Sequence, residues 1–118
     1  MKSLPRLKKR HEFVKVAKEG AYVSSGTLII QCLSSGLSSS HEPRLRIGFT
    51  ASKRIGNAVK RNRAKRRMRE IVHLWSKEAG LLPSCDLVMI AKPSLPTAPF
   101  KKIQHDFKKS LINLKVTE

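Results

Sequence analysis

The stretch from Lys53 to Glu70, KRIGNAVKRNRAKRRMRE, has Lys or Arg at nine of the seventeen positions up to Arg69 and a single acid, Glu70. Wound as a helix at about 100° per residue, it and the residues that follow gather Ala64, Met68, Ile71, Val72, Trp75 and Ala79 within an arc of about 100°, the width of a core-facing stripe. Asn62, Arg66, Arg69 and His73 fall on the opposite side, flanked by Arg63 and Glu70. The fold is thus constrained twice: one side of this helix needs a layer to dock on, and the other needs open space. Asn57 can cap the first turn with its amide oxygen, and Gly80 and Pro83 should end the helix after about Ala79.

A solvated helix face ordinarily mixes charge signs, because opposite charges four residues apart stabilise it by a few tenths of a kcal/mol. This stretch has Glu70 as its sole acid, and it concentrates positive charge in the first half of the helix, where the macrodipole disfavours cations. Over all 118 residues, 25 Lys and Arg stand against 8 Asp and Glu, a formal net charge of +17. A compact chain with that charge repels itself until a polyanion neutralises it. Arginine outnumbers lysine from Arg61 to Arg69, and guanidinium groups grip phosphate in two-pronged geometry and stack on bases. Asn62 adds an amide suited to base edges, 2′-hydroxyls or hydrated metal ions. The pattern favours structured RNA. A helix entering a DNA major groove, and a structural RNA-binding role of ribosomal type, stay open.

The remaining periodicities predict a small α+β domain. RHEFVKVAKEG reads as a short amphipathic helix with Phe13, Val14 and Ala17 on its apolar side and Gly20 just past its end. Phe13, its main anchor, fits two readings equally: a core residue, or a platform for unpaired bases. AYVSSGTLIIQCL predicts one or two strands broken near Ser24 to Gly26. SSGLSSSHEP reads as a polar loop. In RLRIGFTA the residues alternate, with Leu45, Ile47, Phe49 and Ala51 on a core face and Arg44, Arg46, Gly48 and Thr50 on a free one. DLVMIAK predicts a central strand. FKKIQHDFKKSLINL predicts a closing helix anchored by Phe100, Ile103, Phe107, Leu111 and Leu114. The order suggests helices packed on one sheet in a single domain over residues 1–118. If the strands flanking the basic helix pair in parallel, the general rule expects a right-handed crossover.

Chemistry by the chain itself is not expected. The acids are scattered, with no converging set of the kind a two-metal nuclease needs. His11, His41, His73 and His105 lie in separate segments, and His73 suits an RNA contact. Cys32 and Cys85 belong to no zinc-like cluster, and Cys32 reads as a buried free thiol. No apolar run approaches the roughly 18 residues of a spanning helix, and the N-terminus lacks the apolar region of a secretory signal. A soluble cytoplasmic protein is expected.

Four blocks stand in order along the chain: RLKKRHEF, SKRIGNAV, the Arg61-Asn62-Arg63 triplet followed by Arg66 or Arg67 and Arg69, and DLVMIAKPS. With them the chain, from about Leu4 to about Leu114, resembles the protein subunits of bacterial ribonuclease P. The resemblance implies an α-β-β-β-α-β-α domain like the second domain of ribosomal protein S5, with a left-handed βαβ crossover through the basic helix. It implies two RNA partners, the catalytic RNA of ribonuclease P and precursor tRNA, with neither DNA nor membrane expected. It implies removal of the 5′ leader by endonucleolytic phosphodiester hydrolysis, carried out by the RNA subunit with Mg²⁺ that the RNA mainly holds, and no catalytic residue in the protein. Carried over residue by residue, Lys53, Arg54, Asn57, Lys60, Arg61, Asn62, Arg63, Lys65, Arg66 and Arg69 would face the catalytic RNA. Phe13, Lys15, Gln31 and Arg46 would line a leader cleft between the first helix and the exposed sheet face. The chain departs from the pattern where many members have further aromatics, carrying Ala17 and Gln31 instead. Arg46, Lys15 and Lys18 would then compensate by charge.

Overall fold

The apolar run after Cys85 forms a strand, Cys85–Ala91, with six of its seven residues buried. A strand hidden on both faces needs a covering layer on each side, and the rest of the chain provides two. The computed structural model describes residues 4–34, 45–79 and 84–115. The elements run α1 (Arg10–Glu19), β1 (Ala21–Ser24), β2 (Leu28–Ser34), β3 (Arg46–Thr50), α2 (Ala58–Ala79), β4 (Cys85–Ala91) and α3 (Phe100–Asn113), with short 3-10 turns at Lys53–Ile55 and Leu95–Thr97. They form a mixed four-stranded sheet in the order β1-β2-β4-β3. β1 and β2, and β2 and β4, pair antiparallel, whereas β3 and β4 pair in parallel across α2. This is the expected α+β order. The expected loop at 35–43 and the helix-stopping residues Gly80 and Pro83 lie outside the described residues.

One face of the sheet carries the main core. Leu28 and Ile30 of β2, Ile47 of β3, and Leu87 and Met89 of β4 meet Ala64, Met68, Ile71, Val72 and Trp75 of α2 and Ile103, Phe107 and Leu111 of α3. The stripe read from the basic helix is thus the buried one, with Ala79 half-buried at its end. Trp75 and Phe107 meet edge to face at 5.5 Å and 79°, a favoured aromatic geometry. The stripe of α3 also hides two polar residues, Asp106 and Ser110. Asp106 Oδ2 accepts from the Thr27 hydroxyl at 2.7 Å and the Thr27 N–H at 3.1 Å. Burial alone would raise this carboxyl's pKa, but the Thr27 hydrogen bonds and the Lys102 charge outweigh it and leave it below the ordinary value. The turn between β1 and β2 is further clamped by Lys92 Nζ donating to Ser25 O and Ser94 Oγ donating to Gly26 O.

On the other face α1 crosses Val88, burying Val16 and Leu7 with Phe13, Leu33 and Ile90 half-buried around them. The apolar side of α1 therefore differs from the expected one. Val16 is 1% exposed, whereas Val14 is 38% exposed and Ala17 lies in solvent. Phe13 and Val16, three apart, set the contact, Phe13 over Gly48 of β3 and Val16 with Val88 of β4, and a helix of only 10 residues needs no wider stripe. The second face of β3 is not free either. A Cβ on Gly48 would come within 2.6 Å of the Phe13 ring, so only glycine lets α1 sit this close. Arg46, on the same face, ties the layers together: Nε and Nη2 each donate to Asp86 of β4 at 2.9 Å, and Nη1 donates to Glu12 of α1 at 2.9 Å. Along the outer edge of β3, the segment before α1 adds a parallel bridge through Leu7 N to Ile47 O and Ile47 N to Pro5 O, which covers strand groups that would otherwise invite pairing.

Two stability consequences follow from these ties. Asp106→Ala leaves both Thr27 donors buried without their acceptor and should destabilise the fold by about 1–3 kcal/mol; Asp106→Asn, which keeps one acceptor, should cost less, as read from urea midpoints. Glu12 accepts from the N–H groups of Lys8 and Lys9 at 3.0 Å each. Led by the Lys9 and Lys8 hydrogen bonds, and with help from Arg46, its pKa falls from 4.5 to about 2 despite partial burial. A depressed carboxyl pKa contributes stability that is fully present above the unfolded value and is lost as pH falls through the folded one. Glu12→Ala should therefore lower stability by about 2 kcal/mol at neutral pH, with the gap from the unsubstituted chain narrowing between pH 4.5 and 2.

Candidate nucleic-acid interface

The start of α2 is fixed by local chemistry. Ser52 Oγ accepts from Arg54 N at 3.3 Å and opens the 3-10 turn. Gly56 follows at φ +136°, a backbone region closed to most side chains. Asn57 Oδ1 then accepts from Lys60 N at 3.0 Å, the expected cap. From this fixed start the helical repeat distributes the basic residues. Lys53, Arg54, Asn57, Lys60, Asn62, Arg63, Arg66 and Arg69 are exposed, while Arg61, Lys65 and His73 are half-buried. Arg61 Nε is buried with no acceptor among the described residues.

Arg66 and Arg67 could not be told apart by sequence position, but their surroundings differ. Arg67 turns back into the protein, its Nη1 donating to Pro96 O at 2.8 Å and Leu95 O at 3.2 Å. Burial, then the neighbouring charge of Arg63, lowers its pKa from the ordinary guanidinium value; Glu70 offsets this and Arg66 adds to it. The field around α2 is thus repulsive even to its own cations. Arg66 points its charge outward and Arg67 pins the helix to the turn before α3. Val59, 74% exposed at the helix start, is an apolar neighbour of this surface that the charge pattern concealed.

α1 builds a second surface on the opposite face of the sheet. Phe13 is half-buried over Gly48, Lys15 and Lys18 are exposed, and Gln31 is half-buried in β2. Gln31 pairs with Val88, and Val88 with Gly48, so Gln31 and the Phe13 site share one row of the sheet. Arg46 enters this cleft as the tie between Glu12 and Asp86 rather than as an unpaired cation. Ala17 leaves open the turn of α1 after Phe13. Tyr22 of β1, absent from the sequence reading, pairs with Gln31 on this face. Counting outward from the Ser25–Thr27 turn would have placed it there.

The available donors do not form a metal cage. Among the described residues no group of three or more His, Cys, Asp or Glu side chains could hold an ion; Mg²⁺ demands several oxygen ligands. Cys32 is half-buried, less than expected, and Cys85 is buried; both are free thiols. No described helix is long and apolar enough to cross a membrane.

The arrangement has known relatives. Residues 1–115 match the family model described as Ribonuclease P. The ribonuclease P protein component of Gluconacetobacter diazotrophicus is 42% identical over 106 residues, covering 90% of this chain and 87% of that protein. That of Shouchella clausii is 35% identical over 116 residues, covering 98% and 90%. The fold superimposes on the RNase P protein of Staphylococcus aureus with a TM-score of 0.78 at 26% identity, covering 96% of this chain and 97% of that one. For the Thermotoga maritima protein the TM-score is 0.71 at 25% identity, with the same coverage. Matched by that family model over residues 1–115 and by such relatives over most of its length, the chain belongs to the ribonuclease P protein family.

Proposed function

We propose that this chain, acting as one domain, holds the catalytic RNA of ribonuclease P on the outward side of α2 and the 5′ leader of precursor tRNA in the cleft between α1 and the open sheet face. As the protein subunit of ribonuclease P it promotes removal of that leader by endonucleolytic hydrolysis, leaving the mature tRNA 5′ end. The observation that carries this reading is the exposed set of Lys and Arg in the stretch from Lys53 to Glu70, whose single acid is Glu70.

Lys53, Arg54, Lys60, Arg61, Arg63, Lys65, Arg66 and Arg69 contact phosphates of the catalytic RNA, and Asn57 and Asn62 contribute polar contacts beside them. Arg61, with a buried Nε that meets no acceptor among the described residues, gains one from the RNA. In the cleft, Phe13 offers an aromatic edge to unpaired bases, Gln31 an amide, and Lys15 a charge for the leader phosphates, while Arg46 fixes the wall on which they stand. The described carboxylates are committed to contacts within the fold or dispersed, so the protein does not fit as the holder of Mg²⁺, which falls mainly to the RNA. Catalysis belongs to the RNA subunit; the protein positions its partners and offsets their charge. The setting is cytoplasmic, with neither DNA nor membrane as partner.

Arg63→Ala with Arg66→Ala should weaken binding to the catalytic RNA by about 2–4 kcal/mol, two charge-assisted contacts, and should reduce the slope of log K against log salt by about 1.5. Because both side chains are exposed, the urea midpoint should hold within about 0.5 kcal/mol. An unfolding shift without loss of RNA affinity would make this face structural. In reconstitution, the purified protein should be inactive alone and should stimulate precursor-tRNA cleavage by the catalytic RNA at physiological Mg²⁺. Absence of stimulation, or ribosomal RNA as the species that co-purifies, would refute the proposal and favour a structural RNA-binding role.

A further inference from the structure

Tyr22 is 69% exposed on the edge strand β1, and the sheet register gives it a defined place. Tyr22 pairs with Gln31, Gln31 with Val88 and Val88 with Gly48. These four residues form one row across β1, β2, β4 and β3, and residues paired in this way share a face. The neighbouring Val23 pairs with Ile30, which lies in the main core, so Tyr22 faces the opposite side, the one α1 only partly covers. The Phe13 ring lies over Gly48 at the far end of the row. Three strand spacings of roughly 4.8 Å separate the two ends by about 14 Å.

α1 covers Val88 in the middle of this row, and the surface beside it is suited to unpaired nucleotides. The next row, Ser24, Ile29, Ile90 and Thr50, gives a half-buried aliphatic floor at Ile29 and Ile90. Lys15 and Lys18 stand exposed on α1 beside the exposed Glu19 at its end, and the carboxylates of Glu12 and Asp86 are occupied by Arg46. The face thus offers two rings and a positive rim, the combination that binds single strands without reading their sequence.

We propose that Tyr22 is the outer stacking platform for the single-stranded leader, which runs from Phe13 beside α1, over the half-buried Ile90 and Ile29, to the β1 edge. The inference rests on the leader-binding reading of the cleft and adds its path and far end. At roughly 3.4 Å per stacked nucleotide, about four nucleotides bridge the two rings. Short leaders therefore end before they reach Tyr22.

The test uses the reconstituted holoenzyme and two precursor tRNAs, one with a leader of about eight nucleotides, twice the bridging length, and one with a single leader nucleotide. Tyr22→Ser should weaken binding of the long-leader precursor by about fivefold or more, the loss of one base stack. It should leave the single-nucleotide precursor, the affinity for catalytic RNA and the urea midpoint unchanged. Tyr22→Phe should behave as the unsubstituted protein. If that protein favours the long leader and Tyr22→Ser favours it equally, Tyr22 is off the path and the proposal is overturned. An equal loss on both precursors would also overturn it, because Tyr22 would then act through the fold. If the unsubstituted holoenzyme does not distinguish the two leaders, the leader-binding reading itself fails.

Discussion

Arg46 joins three elements that have no chain connection nearby: β3, which carries it, β4 through Asp86, and α1 through Glu12. Nε, Nη1 and Nη2 each donate at 2.9 Å, and Asp86, then Glu12, hold the guanidinium pKa above its ordinary value. Without this grip α1 would rest on the sheet through Phe13, Val16 and a few half-buried neighbours, a small apolar contact for a helix that must leave most of the sheet face open. A charge-assisted pair fixes orientation without covering area. The open cleft and the ion pairs beside it are therefore two sides of one solution.

The same economy governs the acids as a set. Against 25 cations the chain has 8 carboxylates, and Glu12, Asp86, Asp106 and Glu78 are held by Arg46, Thr27 with Lys102, and Lys108. Acids are placed where the fold needs a long-range tie and are almost absent from the outward side of α2. The helix can accept that imbalance because its stability comes from the opposite side, where Ala64, Met68, Ile71, Val72 and Trp75 are buried. Docking and charge thus separate on a single element, and the repulsion among Arg63, Arg66 and Arg67, which Glu70 offsets in part, favours association with a polyanion.

Features of short range were legible in the sequence. The Asn57 cap, the inward stripe of α2, the break at Ser24 to Gly26, the central β4 and the apolar spacing of α3 all depend on residues within a few turns or one strand. Features set by distant partners were not. Arg46 reads as an outward cation until Asp86 and Glu12, 40 and 34 residues away, are seen around it. Asp106 breaks an apolar stripe that only Thr27, 79 residues away, can justify. Arg67 differs from Arg66 because Leu95 and Pro96 present carbonyls to it. α1 is too short for its periodicity to choose between Val14 with Ala17 and Val16, and the sheet beneath makes the choice.

The two surfaces also differ in how they tolerate change. On α2 a shift of one position rotates a side chain by about 100°, so the basic set must keep its spacing relative to the buried stripe almost residue by residue. A sheet surface has another freedom. Its rows are assembled from neighbouring strands roughly 4.8 Å apart, and a group absent from one strand can be supplied by the residue paired with it on the next. Gln31 on β2 and Tyr22 on β1 are paired in this way. The helical surface is thus defined by sequence motif and the cleft by row, which is why the basic helix is recognisable from a short stretch while the cleft becomes visible only when the strands are paired.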